Sequence, residues 1–303
     1  MKCFYHNDPD GWCSAYWVRK HCEKEGIAFT EADFIEMNYD RPFPWNVLQP
    51  DEQVFMVDFS LDDPEDMRQL ALQTNLTWID HHISAIVKMG KYCKIPGIRY
   101  DGIAACMLTW AYFHFKWYIP EEERLGDNLG FPIDIDTFNR LSPMFTQYIH
   151  LWDTWQWKDH QDASKISAFI TGFGSYVDHP CDVQWNFIDG SKVKDITQVG
   201  YNMLLYRDSY AEGLCKSIGK AVTFEGHRCF VCNMGHVSSE WFKSVDPSTH
   251  DIMMPFYYNM QTEQFCFSLY TANPDIDVSK IAVKYGGGGH KGAAGFQLTE
   301  IPF

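Results

Sequence analysis

Three short apolar runs, each closing on acidic or imidazole side chains, constrain this chain more than any other feature. Lys2-Cys-Phe-Tyr5 stops at His6-Asn-Asp-Pro-Asp-Gly11, Gln53-Val-Phe-Met-Val57 ends in Asp58, and Leu76-Thr-Trp-Ile79 ends in Asp80-His81-His82. Helical stretches separate them. One runs from about Gly11 to Glu25, with Ala15, Val18 and Cys22 on one face and Gly26 as terminator. Another begins at Asp62-Asp63-Pro64, an N-cap followed by an N1 proline, and continues through about Gln73. β-prone runs alternating with helices predict βαβ units and a parallel sheet. In such a sheet the carboxyl ends of the strands line one edge, where ligands bind.

Further along, Gly102 to Trp117 is apolar nearly all round and predicts a buried helix. The Pro/Gly/Asp-rich stretch Glu121–Asp136 reads as a loop. Ser142-Pro143 opens a helix that delivers Asp153 near its end. Residues 1–190 form the expected first domain and 191–218 a helical connector. Residues 219–303 form a smaller second domain, with strands near 221–225, 228–233, 251–258 and 265–271 and a short helix from Asp277.

Of the 303 residues, 46% are hydrophobic and 16% aromatic, enough for two packed cores. Forty acidic against 25 basic residues give a net charge of -15, which argues against gripping long duplex nucleic acid through a basic face. No apolar stretch is long enough to span a membrane and no signal peptide is visible, so a cytoplasmic protein is expected. The ten cysteines are scattered through apolar runs and read as reduced core thiols. Cys229-Phe-Val-Cys232 has metal-knuckle spacing but lacks a second pair and lies in a strand-like run, so it is read as core.

Singly, an Asp after a strand is a turn former or helix cap, and a lone His is usually just hydrogen bonded. Collected on one edge, His6, Asp8, Asp10, Asp58, Asp80, His81 and His82, with Asp153 from a helix, would repel one another unless cations sit among them. The negative charges of Asp8, Asp10, Asp58 and Asp153 match two divalent ions. Mixed carboxylate and imidazole ligands suit Mn²⁺ best, with Mg²⁺, Co²⁺ or Zn²⁺ as other occupants. Paired metals about 3.5–4 Å apart serve in-line displacement at phosphorus.

His6-x-Asp8-x-Asp10-Gly11, Val57-Asp58-Phe-Ser60, Asp80-His81-His82 and Asp153 occur in the order of the four motifs of the DHH phosphoesterases, which this chain resembles. Gly286-Gly-Gly-Gly-His290-Lys-Gly-Ala-Ala-Gly-Phe296 is similar to the signature of the DHH-associated C-terminal domain. The likeness spans nearly the whole chain. It is nearest to the branch of nano-RNases and phosphoadenosine-phosphate phosphatases, with RecJ exonucleases more distant. The resemblance implies an α/β fold: an N-terminal parallel-sheet DHH domain with helices on both faces, and a smaller mixed-sheet C-terminal domain.

The same resemblance implies the roles. His6 and Asp8 would hold one metal, with Asp58 bridging; Asp10, Asp58, His81 and Asp153 would hold the other. His82 would face the scissile phosphate, and Asp80 would orient an imidazole. A water shared by the metals would be the nucleophile. Gly286, Gly287, Gly288, Gly289 and His290 would hold the far end of the substrate, glycines letting backbone N–H groups approach an anion. The chain departs from the pattern at Tyr270, where relatives commonly carry an arginine. Ser238, Ser239 and Glu240 read as exposed loop polarity, and the Trp152–Trp157 cluster as core packing rather than base stacking.

The expected activity is hydrolysis of phosphoester bonds in short oligonucleotides or small nucleotides. The alternatives are a phosphoadenosine-phosphate phosphatase or a cyclic dinucleotide phosphodiesterase. A nucleotide-sensing module would have lost ligands, and none of the six is missing; trans-editing of aminoacyl-tRNA would want a basic surface. A homo-oligomer is compatible with this reading, and no membrane partner is expected.

Overall fold

The computed structural model describes residues 1–39, 41–89, 95–115, 135–188 and 190–303. Strands β1 (Lys2–His6), β2 (Phe34–Met37), β3 (Gln53–Val57) and β4 (Asn75–Ile79) form one sheet in the order β2-β1-β3-β4. All its pairings are parallel, with Tyr5 opposite Val57 and Val57 opposite Ile79, so β1, β3 and β4 end level. From β1 the chain moves to one side for β2 and to the other for β3. The crevice at such a switch point is where open α/β sheets bind ligands.

Among the described residues the helices here are α1 (Pro9–Glu25), α2 (Pro64–Gln73), α3 (Ile83–Met89), α4 (Ala105–His114), α5 (Ile135–Leu141), α6 (Met144–Asp153) and α7 (Ala163–Phe173). Along β3, Phe55 and Val57 pack with Val18 of α1, Met107 of α4 and Ile149 of α6. Val54 and Met56 pack instead with Met67 and Leu70 of α2. Successive strand side chains point to opposite faces, so helices cover both faces of the sheet, as parallel sheets require. Each fully buried Val, Phe, Met or Leu contributes roughly 1.5–3 kcal/mol.

The described residues divide into two compact units, Met1–Asn202 and Met203–Phe303, and α8 (Gly190–Ile218) runs through that division as one 29-residue helix. The second unit holds β5 (Lys220–Phe224), β6 (His227–Asn233), β7 (Ile252–Asn259), β8 (Gln264–Tyr270), α9 (Val278–Lys284), β9 (Gly288–His290) and β10 (Ala293–Leu298). Its sheet order is β5-β6-β7-β8-β10-β9, with β6 and β7 parallel and the other pairs antiparallel. Val278, Ile281 and Ala282 of α9 cover Phe267, Leu269 and Phe296. No helix among the described residues is long and apolar enough to cross a membrane.

Three strands escape the sequence patterning. β2 is only four residues, and Glu36 interrupts its apolar pattern. The Gly-rich segment, to which the sequence assigns no strand, folds back as β9 against β10, pairing Gly289 with Ala294 and Gly288 with Gly295. The loop expected over 121–136 falls outside the described residues as far as 134, and residues 135–136 already belong to α5. The buried helix expected over 102–117 is α4, and residues 116–117 lie outside the described residues. Cys229 and Cys232, three apart on β6, enter different apolar clusters, because residues an odd number apart on a strand point to opposite faces.

Candidate metal centre

The first turn of α1 explains the spacing of the opening motif. Asp8 caps the helix, one oxygen accepting from the Gly11 N–H at 2.9 Å, with Pro9 in the first turn. The helix therefore starts at Pro9, two residues earlier than the sequence pattern suggested, and Asp10 lies inside it. A Cβ on Gly11 would come within 2.0 Å of the His6 carbonyl oxygen, so only glycine lets α1 fold so tightly over the end of β1. The other oxygen of Asp8 lies 2.8 Å from Nδ1 of His6.

Three carboxylates are deeply buried here, and the chain treats them differently. Asp10, 1% exposed, accepts from the backbone N–H of Ala105 at 2.9 Å and of Cys106 at 2.7 Å, the N-terminal donors of α4. Asp80, 0% exposed, takes the His81 and His82 N–H groups at 2.7 and 3.1 Å, Nδ1 of His82 at 2.8 Å and the Trp78 indole N–H at 3.3 Å. Asp58, 1% exposed, accepts no hydrogen bond at either oxygen. It follows β3 with φ 55, a left-handed conformation that Asp tolerates better than most residues.

What surrounds Asp58 is other ligand atoms. His81 Nε2 stands 3.3 Å from its Oδ1, 3.3 Å from Asp153 Oδ2 and 3.5 Å from Asp10 Oδ2. His6 Nδ1 is 3.9 Å from Oδ2 of Asp58, and His82 Nδ1 is 3.9 Å from its Oδ1. Among the described residues, three groups of side chains have ligand atoms close enough to share an ion: His6, Asp8 and Asp58; Asp10, His81 and Asp153; and Asp58, His81 and His82. Asp58 belongs to two of them. Asp80 belongs to none and holds His82 and the backbone beside it.

The electrostatics follow from this crowding. Burial, then repulsion from Asp10 and Asp8, pushes the Asp58 carboxyl well above the usual range. Burial and the same two neighbours raise Asp153 to about 8. The hydrogen bond that His82 donates to Asp80 raises the imidazole to about 9, which favours the protonated ring at neutral pH. Asp8, which burial would raise, is held low by His6 and the Gly11 N–H, and His6 is raised by its bond to Asp8. A site that leaves a buried carboxylate unpartnered among like charges is built for cations.

The Gly-rich segment in the second unit is less simply an anion cradle. The N–H groups of Gly286 and Gly287 donate to the carbonyls of Val283 and Ala282, terminating α9. Both glycines line a concavity of about 820 Å³ with Tyr257, Cys266, Tyr270 and Tyr285. Gly288, Gly289 and His290 lie on the exposed outer strand β9, paired with β10. Tyr270 donates its hydroxyl to the Val237 carbonyl at 3.0 Å. Ser238 and Glu240 are exposed, and Glu240 pairs with Lys243 at 2.7 Å.

Two residues near the centre escaped sequence reasoning. Tyr39, just after β2, sets its ring 5.8 Å from His6 and 4.8 Å from Phe59. Burial and the charges of Asp80 and Asp58 raise its phenol far above its ordinary range. His150, one helical turn before Asp153, is 1% exposed, accepts from the Ala104 N–H at 3.2 Å and leaves Nε2 without a partner. Burial, and after it the charge of His81, lowers it to about 4. Only the spacing of His150 to Asp153 on one helix face could have signalled it.

The ordered motifs stand on an architecture that solved structures share. Searched against protein-family models, the chain matches none. The pGpG-specific phosphodiesterase PggH of Vibrio cholerae superposes with a TM-score of 0.52 at 11% identity, over 98% of this chain and 93% of that one. The DHH domain of a ribosomal-protein family member gives 0.49 at 16% identity, over 97% and 81%. An uncharacterised protein of Acanthamoeba polyphaga mimivirus is 23% identical over 258 residues, 82% of this chain. The chain spans 54% of the length of that curated relative.

Proposed function

We propose that the chain is a metal-dependent phosphoesterase that hydrolyses short oligonucleotides or small nucleotides. The observation that carries this reading is the unpartnered, buried Asp58 carboxylate at the switch point of the sheet, flanked by His6 and Asp8 on one side and by Asp10, His81 and Asp153 on the other. His6, Asp8 and Asp58 would hold one divalent ion and Asp10, Asp58, His81 and Asp153 a second. The oxygen-rich set with imidazoles and no thiolate favours Mn²⁺. When bound, such a pair acidifies a shared water and neutralises charge on the phosphoryl oxygens.

The chain's own groups do the rest. His82, kept protonated by Asp80, presents an N–H donor to the phosphoryl oxygens as charge builds on them. Asp80 fixes the ring and the backbone on both sides of it. The net charge of -15 favours substrates of a few nucleotides over long polyanions. The fold is shared with a phosphodiesterase specific for pGpG, a substrate of that size. Rates with Mn²⁺ and with EDTA on dinucleotides, longer oligonucleotides, cyclic dinucleotides and phosphoadenosine phosphate test the proposal. Metal-independent cleavage, or none on the whole panel, would end it.

A further inference from the structure

Trp155 follows Asp153 by two residues, which puts the two Cα atoms no more than about 7.6 Å apart. It is 68% exposed and adopts φ 61, ψ 9. A bulky side chain in left-handed backbone is strained, and glycine or asparagine would serve such a turn at less cost. The turn is nevertheless pinned. Trp155 N–H donates to Trp152 O at 3.1 Å, Thr154 Oγ1 to His150 O at 2.8 Å, and Gln156 Nε2 to Gly102 O at 3.1 Å.

Its neighbours show what the turn accomplishes. Trp152 and Trp157 stack at 4.7 Å and pack against the core, whereas Trp155 is turned out to solvent. Over its ring lies the Lys158 ammonium, 4.5 Å from the centroid. Scattered exposed hydrophobics are ordinary, but this one is strained, carries a cation and sits beside a carboxylate that is itself 26% exposed. Strain held by surrounding bonds concentrates at binding sites.

We propose that Trp155, with Lys158, is the stacking platform for a nucleobase of the substrate whose phosphate is held at Asp153. Every base offers a π face, so the platform accepts any base while requiring that one be present. The inference rests on the nucleotide-hydrolase reading and narrows it: the substrate carries a base next to the scissile phosphate, and a bare sugar–phosphate diester or polyphosphate is a poor one. The exposure of Trp155 departs from the expectation that this tryptophan cluster packs in the core, while Trp152 and Trp157 follow it.

The test uses the full chain with Mn²⁺ and two substrates, a dinucleotide and its abasic analogue with the same backbone. Trp155→Ala should raise KM for the dinucleotide roughly 5- to 100-fold, the worth of one base stack, with the effect on KM rather than kcat. The penalty should largely vanish on the abasic analogue. Trp155→Phe should recover most of the loss. Emission of a 2-aminopurine dinucleotide should be quenched on binding to wild type and not to Trp155→Ala. Trp155→Gly should melt higher than wild type while binding the dinucleotide worse, since glycine relieves the backbone. An unchanged KM in Trp155→Ala, or an equal penalty on both substrates, overturns the platform. Wild-type protein inactive on both substrates overturns the hydrolase reading itself, a separable result.

Discussion

Asp58→Asn should stabilise the metal-free protein while abolishing its response to metal. Asp58 is 1% exposed, neither oxygen accepts a hydrogen bond, and burial with its acidic neighbours raises its carboxyl well above the ordinary range. In the unfolded chain an Asp ionises near pH 3.9, so keeping the folded carboxyl protonated where the unfolded one would ionise costs stability, at about 1.36 kcal/mol for each unit by which its pKa is raised. Because the folded pKa is the higher one, the associated stability is fully present below the unfolded pKa and is lost as pH rises. The cost therefore shrinks as pH falls toward the unfolded pKa. Asparagine does not titrate, but it still buries polar atoms at a cost of roughly 1–3 kcal/mol. The variant gains wherever that cost exceeds the burial of the amide, and each kcal/mol gained raises Tm by roughly 2–4 °C for a unit of this size. Thermal melts in EDTA should show the variant above wild type near pH 7, with the gap closing toward pH 5. Added Mn²⁺ should raise wild type and leave the variant unmoved, because ions that bind only the folded state stabilise it. A variant that melts below wild type in EDTA, or that gains as much from Mn²⁺, would refute the assignment of Asp58 as the unpartnered shared ligand.

Activity should vanish with EDTA and return best with Mn²⁺; Asp58→Ala should abolish it, while Asp80→Asn should cost roughly 10- to 100-fold, as changes behind a ligand do, both read by steady-state rates. Cleavage rate should fall as oligonucleotide length grows, and a rate that rises with length would instead favour an extended polyanion groove. His82→Ala should lower kcat, since its N–H meets charge that develops only during reaction, whereas His290→Ala should raise KM roughly ten- to a hundredfold with kcat little altered. Loss of thermal stability without a kinetic change in His290→Ala would assign that residue to the β9 edge alone.

The residue types of the centre, and the strand ends that carry them, were legible in the sequence. β1, β3 and β4 announce themselves by apolar runs stopped by carboxylates, and α2 by its Asp63-Pro64 cap, because these signals are local. The dual duty of Asp8, helix cap and partner of His6, was not legible: the helix was expected from about Gly11 and starts at Pro9. Tyr39 and β2 were not legible, since a four-residue strand interrupted by Glu36 carries too little pattern.

By itself, then, the sequence determined an α/β chain with its ionisable residues gathered at the carboxyl ends of parallel strands. Only the tertiary structure decided which of the buried aspartates receive donors. Asp10 is satisfied by the start of α4, 95 residues away, and Asp80 by its own neighbours, while Asp58 is left with His81 and the other carboxylates. It also decided that Gly286 and Gly287 spend their N–H groups on α9 and that Trp155 faces solvent while Trp152 and Trp157 do not. The physical reason is the range of the interactions. Periodicity and capping are written over a few residues, whereas the partner of a buried charge depends on the register of strands and helices far apart in the chain.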